Sequence, residues 1–137
     1  MTRVLLVDDD ISIVHLFSTV LEMNGFSVTT ARSASEAVCA IDDASFDMVI
    51  TDLHMETPTA GFEVVRAARD RSPRPIIVVI TAYPVPSSDW KRIGADALYL
   101  KGANTMALPE QLKELLQRKM RNSPSYNMRS IRRAPFS

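Results

Sequence analysis

The chain has 137 residues, 46% apolar and 23% charged, with a single cysteine and equal numbers of acidic and basic residues. That length suits one domain able to bury a core without disulfides or a structural metal; the lone Cys39 excludes an internal disulfide, and no apolar run approaches the roughly 18 residues of a membrane span. The neutral balance hides an asymmetry, because all 16 acidic residues lie within residues 1–117, whereas 118–137 hold six basic residues and no acid.

Val4-Leu5-Leu6-Val7 is a continuous apolar run ending at Asp8, the pattern of a strand buried on both faces. It starts right after Met1-Thr2-Arg3, which leaves no room for a signal peptide and makes a cytoplasmic protein the expectation. Ile13, Val14, Leu16, Phe17, Val20 and Leu21 then recur at helical spacing, with Asp10 as N-cap and Asn24-Gly25 as the stop. Phe26 to Ala31 reads as a strand with Val28 inside. Ala34, Ala37, Val38 and Ile41 mark a second helix, capped by Ser33 or Ser35, in which Cys39 is expected as a small buried hydrophobe. Met48-Val49-Ile50-Thr51 is a third strand, ending at Asp52, and Phe62, Val65 and Ala68 mark a third helix. Ile76 to Ile80 forms a fourth strand that ends at Thr81. A short helix from about Ser87 to Ile93 follows, then a strand from Ala97 to Leu100 that ends at Lys101. Pro109 opens a last helix in which Leu112, Leu115, Leu116 and Met120 share one face.

Five successive βα units predict a doubly wound α/β fold. From Asn122 the composition turns to Ser, Pro, Arg and Asn without a period, so the reading is a domain at 1–121 followed by a basic tail at 122–137.

Open parallel sheets bind ligands beyond the carboxyl ends of their strands. Here those ends carry Asp8-Asp9-Asp10, Asp52, Thr81 and Lys101. Taken singly, each has an ordinary structural use, as a helix cap, a turn residue or a solvated charge. If the first and third strands are neighbours, three carboxylates converge, repel one another and raise at least one pKa. A hard divalent cation resolves that conflict, since carboxylate oxygens, a backbone carbonyl and waters are the ligands Mg²⁺ prefers. A carboxylate in such a site is a competent nucleophile toward phosphorus. The Lys101 ammonium and the Thr81 hydroxyl are suited to the charge on the transferring oxygens. A flavin- or nucleotide-binding enzyme is disfavoured, because none of the four glycines forms a phosphate-cradling loop.

From Arg3 to about Arg121 the sequence resembles the response-regulator receiver family of two-component signalling. The resemblance is carried by Val4 to Asp10, by Asp47 to Met55 around Asp52, by Ile76 to Ala82, and by Gly94-Ala95-Asp96 leading to Lys101. It implies a flavodoxin-like sheet of order 2-1-3-4-5 flanked by five helices, with Asp52 as phosphoacceptor. It also implies Mg²⁺ held by Asp8, Asp9, Asp52 and the main-chain carbonyl of His54, with Thr81 and Lys101 contacting the phosphoryl group. The expected partners are a histidine kinase or phosphotransfer protein and an unknown downstream protein. The protein is expected to be no enzyme in its own right, and a monomer or weak homodimer for which nucleic acid is an unfavoured partner, with only the basic tail suited to it. The lead reading is a stand-alone receiver in a phosphorelay; the alternative is a pseudo-receiver, an interaction module not controlled by phosphorylation.

Several features depart from that family. Leu98 stands where an aromatic switch residue is usual, and Tyr99 beside it should face the other way. Gly102 replaces the proline that normally follows the lysine. The Thr81–Gly94 segment is about two residues short, and its Pro84 and Pro86 should delay the fourth helix. The Lys101–Pro109 loop is longer by several residues, and Met55 to Gly61 holds one extra. The His54 side chain is a candidate to tune hydrolysis, and His15 is read as a surface residue. For the tail, the leading expectation is a solvated extension, beside nucleic-acid or anionic-lipid binding and docking on the body through Tyr126, Met128, Ile131 and Phe136.

Overall fold

The computed structural model describes residues 1–83, 85–102 and 105–121, which divide into two units, Met1–Thr105 and the segment from Met106 onward. The basic tail read at 122–137 lies outside the described residues.

In the first unit, strands β1 (Arg3–Val7), β2 (Ser27–Ala31), β3 (Met48–Asp52), β4 (Ile76–Thr81) and β5 (Ala97–Leu100) alternate with helices α1 (Ile11–Met23), α2 (Ala34–Asp43), α3 (Ala60–Arg69) and α4 (Ser87–Arg92). All strand pairings are parallel and the order is β2-β1-β3-β4-β5. The central strands β3 and β4 are buried at every position, as expected where helices cover both faces of a sheet. Edge strand β2 is buried only at Ala31, and Val28 is half-buried.

Residues of one parity, Leu5, Val7, Val49, Ile77 and Val79, form a core with Ala37 and Ile41 of α2 and with Val64, Val65 and Ala68 of α3. Helix α1 lies along β1 and β2 with Val14, Phe17, Val20 and Leu21 buried. Each fully buried Val, Leu or Ile contributes about 1.5–3 kcal/mol relative to exposure.

Local signals set the ends of the helices. Asp10 caps α1 by accepting Ser12 N–H at 2.9 Å. The helix stops in a Schellman turn, with Phe26 N–H on Leu21 O at 3.1 Å and Gly25 N–H on Glu22 O at 3.2 Å. That turn removes Phe26 from β2 and buries it. Of the two serines offered as cap for α2, Ser33 takes the role, accepting Glu36 N–H at 3.1 Å, while Glu36 accepts Arg32 N–H at 3.0 Å. The two bonds resemble a capping box, with the glutamate reaching the residue before the N-cap instead of the N-cap itself. Helix α4 has six residues and follows Pro86, the short helix that the shortened segment predicts.

Cys39 is exposed, a correction to the expected burial. Ala37 and Ile41 turn inward one helical turn apart, and a residue midway between them lands on the outer face. Leu16 is exposed for a related reason, since the buried stripe of α1 runs through Val14, Phe17 and Leu21.

The second unit holds α5 (Leu108–Arg121), preceded by a 3₁₀ turn at Thr105–Ala107. Leu108, Pro109, Leu112 and Leu115 are buried. Met120, expected on that face, is exposed, and the last turn around it is basic, which suits the negative end of the helix dipole.

Candidate functional site

The register of the sheet assembles the site. Val7 lies beside Thr51, Thr51 beside Val79 and Asp52 beside Ile80. Thr81 lies beside Leu100, and the Lys101 N–H donates to Thr81 O at 2.7 Å. Asp8, Asp52, Thr81 and Lys101 therefore meet along one edge of the sheet, at the carboxyl ends of β1, β3, β4 and β5.

Asp8 and Asp52 are buried, 2% and 7% exposed, and Asp9 is exposed. One carboxylate oxygen from each of the three lies within 4.8 Å of the others. The Lys101 ammonium bridges the buried pair, 2.6 Å from Asp8 Oδ2 and 2.9 Å from Asp52 Oδ2. Asp8 Oδ1 accepts Asp10 N–H at 3.0 Å, so the turn into α1 also holds Asp8. Among the described residues, Asp52 Oδ1 has no hydrogen-bond partner. Buried Thr81 accepts Tyr83 N–H on Oγ1 at 3.3 Å, which leaves its hydroxyl proton free to donate.

The charges leave their mark on two groups. Partial loss of water around Asp9, followed by the charges of Asp8 and Asp52, raises its pKa above the ordinary 3.8. Burial alone would lower Lys101, but its hydrogen bonds to Asp8 and Asp52 and their charges outweigh burial and raise its pKa above 10.5. One ammonium thus faces three carboxylates. The remaining negative charge and the all-oxygen donor set suit a hard divalent cation held by Asp8, Asp9 and Asp52.

His54, two residues past Asp52, is exposed, and its ring Nδ1 lies 3.2 Å from Pro58 O. Its side chain lines a cavity of about 320 Å³ with Leu53, Phe62, Val85 and Trp90, beside the carboxylate cluster and not part of it. His15 is exposed on α1. Leu98 is half-buried and packs against the core, and its sheet neighbour is Val79 of that core. Tyr99 lies beside Ile80, so it takes the opposite face, as alternation along the strand requires. Gly102 has φ +82°, a left-handed conformation that suits glycine and that proline cannot adopt.

Two residues of the site were not singled out from sequence. Gly61, in the first turn of α3, donates its N–H to Leu53 O at 3.0 Å, and a Cβ there would fall 2.3 Å from Asp52 O. Its only sequence signal is a glycine inside a helix, a position where glycine needs a reason. Glu56 accepts Ala34 N–H at 2.9 Å, joining the loop after β3 to the start of α2. A glutamate in a polar loop carries no sequence signal for such a link.

The response regulator receiver domain model matches residues 4–116. The chain is 32% identical over 136 residues to a transcriptional regulatory protein CpxR homolog of Haemophilus influenzae, covering 96% of this chain and 56% of that protein. It thus spans about half the length of the curated relatives it matches first. Among solved structures, the chemotaxis response regulator CheY4 of Vibrio cholerae matches with a TM-score of 0.76 at 34% identity, over 84% of this chain and 98% of that one. The response regulator TrrA of Thermotoga maritima, solved in complex with Mg²⁺-BeF, matches with a TM-score of 0.74 at 32% identity, over 84% of this chain and 99% of that one. Sheet order, strand-end carboxylates and family match agree, and the chain belongs to the response regulator receiver domain family.

Proposed function

We propose that the chain is a phosphoacceptor receiver in which Asp52 takes a phosphoryl group from a histidine kinase or phosphotransfer protein. The observation that carries this reading is the trio of carboxylate oxygens within 4.8 Å, bridged on its buried side by Lys101. Asp8, Asp9, Asp52 and the main-chain carbonyl of His54 would hold Mg²⁺, which when bound neutralises charge on the phosphoryl oxygens. Asp52 Oδ1 is the nucleophile, because Lys101 occupies Oδ2. As its bond to phosphorus forms, the bond from phosphorus to the donor nitrogen breaks, and the imidazole keeps the electron pair. Lys101 can then follow the developing charge, and the Thr81 hydroxyl can donate to a second phosphoryl oxygen.

In this reading residues 1–121 form the receiver and 122–137 a basic extension. The protein is an acceptor of the phosphoryl group rather than an enzyme acting on other molecules. It works in the cytoplasm as a stand-alone receiver, monomeric or weakly dimeric, and its output is binding to a downstream protein. Among the described residues no helix is long and apolar enough to cross a membrane.

The test is incubation with Mg²⁺ and a small phosphodonor, followed by intact mass. Addition of one phosphoryl group that needs Mg²⁺ and disappears in Asp52→Ala supports the reading; addition that persists in that variant sinks it. Trp90, which shares a cavity with Leu53 and His54, supplies a fluorescence readout.

Leu98, half-buried against the core, and Gly102 after Lys101 favour the second reading, a pseudo-receiver. Partner affinity that is the same with and without a beryllofluoride mimic on Asp52 would select it.

A further inference from the structure

The loop between β3 and α3 carries the main-chain carbonyl of His54. Most of its hydrogen bonds close on itself. Met55 N–H donates to Thr57 O at 3.3 Å, Ala60 N–H to Thr57 O at 3.3 Å, and the His54 ring lies on Pro58 O at 3.2 Å. Apart from the junction with α3, where Ala60 N–H donates to Thr57 O and Glu63 N–H to Thr59 O at 3.2 Å, the bond from Ala34 N–H to Glu56 Oε2, 2.9 Å long, is among the described residues the one hydrogen bond tying residues 54–59 to another element. The partner is well chosen: Ala34 is the first residue of α2, where an N–H has no carbonyl within its own helix and a carboxylate meets the positive end of the dipole. Ser33 and Glu36 already serve Glu36 N–H and Arg32 N–H, so Glu56 completes the set from outside the helix. Two residues earlier in the same loop sits the carbonyl proposed to face the cation.

We infer that Glu56 is a positioning residue: by clamping the loop to α2 it sets where the His54 carbonyl stands, and so how well the acidic site binds a divalent cation. This rests on the Mg²⁺ site proposed above. An outer contact of this kind acts through the ligand it orients rather than by touching the ion.

The experiment compares Glu56→Ala, Glu56→Gln and Ser33→Ala with the unaltered chain, reading Mg²⁺ affinity by calorimetry and amide exchange at His54 and Met55 in metal-free protein. Glu56→Ala is expected to weaken Mg²⁺ by about tenfold, the lower end for outer-shell partners, and to speed exchange at both amides. Glu56→Gln, whose side-chain oxygen still accepts from Ala34, should recover most of the affinity. Ser33→Ala removes a cap from the same helix without touching the loop. It should lower the melting temperature and leave Mg²⁺ affinity unchanged. If Glu56→Ala does not fold, Glu56→Asp, one methylene too short to reach Ala34, takes its place with the same expectation. Unchanged Mg²⁺ affinity in the Glu56 variants, or equal weakening in Ser33→Ala, overturns the inference. Failure of the unaltered chain to bind Mg²⁺ overturns the metal-site reading itself and is seen before any variant is compared.

Discussion

The Lys101 ammonium lies closer to Asp8 than to Asp52, 2.6 Å against 2.9 Å. In the proposed reading the ammonium is therefore anchored on a carboxylate other than the phosphoacceptor. It can keep that anchor while its second contact passes from Asp52 to a phosphoryl oxygen. Replacing Lys101 by Met leaves two buried carboxylates without their cation. Removing one partner of a buried pair costs about 3–5 kcal/mol, and part of that loss should return on adding Mg²⁺. Denaturant melts of Lys101→Met with and without Mg²⁺ check both statements.

The same lysine gives an alkaline limit to stability. Its pKa is raised in the folded chain above the ordinary 10.5, so the folded state holds its proton more tightly than the unfolded state. The contribution is fully present below 10.5 and is lost as pH rises through the folded value. In metal-free protein, the fall in stability across that window should be shallower in Lys101→Met. Melts at a series of alkaline pH values test this.

Asp9 behaves in the opposite sense. Its pKa is raised above 3.8 by partial loss of water and by Asp8 and Asp52, so its ionised form works against folding in the metal-free state. That penalty is present at neutral pH and is relieved as pH falls through the folded value toward 3.8. Asp9→Asn should raise the melting temperature of metal-free protein at pH 7 while weakening Mg²⁺ binding. A calorimetric scan and a Mg²⁺ titration of the variant, read together, separate the two effects.

Gly61→Ala should be disruptive although the change is a single methyl group. The new Cβ would stand 2.3 Å from Asp52 O and 2.4 Å from Leu53 Cα, both main-chain atoms that cannot rotate aside. Overpacking of this kind costs about 1–3 kcal/mol or more. Because the displaced atom belongs to Asp52, phosphoryl uptake should fall further than the stability loss alone explains. Chemical denaturation and the intact-mass assay measure the two losses.

His54→Ala should change the lifetime of the phosphorylated form rather than its formation. The ring belongs to the second residue after Asp52 and is held through Nδ1 on Pro58 O, at the cavity it lines with Leu53. Decay of the phosphorylated mass after donor removal is the measurement, and an unchanged lifetime sinks the role.

The fold was legible because its signals are periodic. Apolar runs such as Ile76–Ile80 and helical stripes such as Val14, Phe17 and Leu21 are imposed by burial and repeat along the chain. The convergence of Asp8, Asp52, Thr81 and Lys101 was legible because each stands where a strand ends. Cys39 and Met120 were misplaced, since composition says that a stretch is apolar while only helical phase says which residue turns inward. Gly61 and Glu56 were missed for a different reason. Each is explained by an atom distant in sequence or in another element, the Asp52 carbonyl for one and the Ala34 amide for the other.

The approach of Gly61 to the Asp52 carbonyl has a consequence for how this domain tolerates insertion. With Gly61 N–H fixed on Leu53 O, the two feet of the β3–α3 connection are locked together. Residues can be added or removed only at its apex, 54–59, where Thr57, Pro58 and Thr59 are exposed. A designer could lengthen that apex without moving Asp52 or α3, but each added residue would re-aim the carbonyl at His54. If the proposed cation site holds, loop length here is a dial on cation affinity that leaves Asp52 where it was.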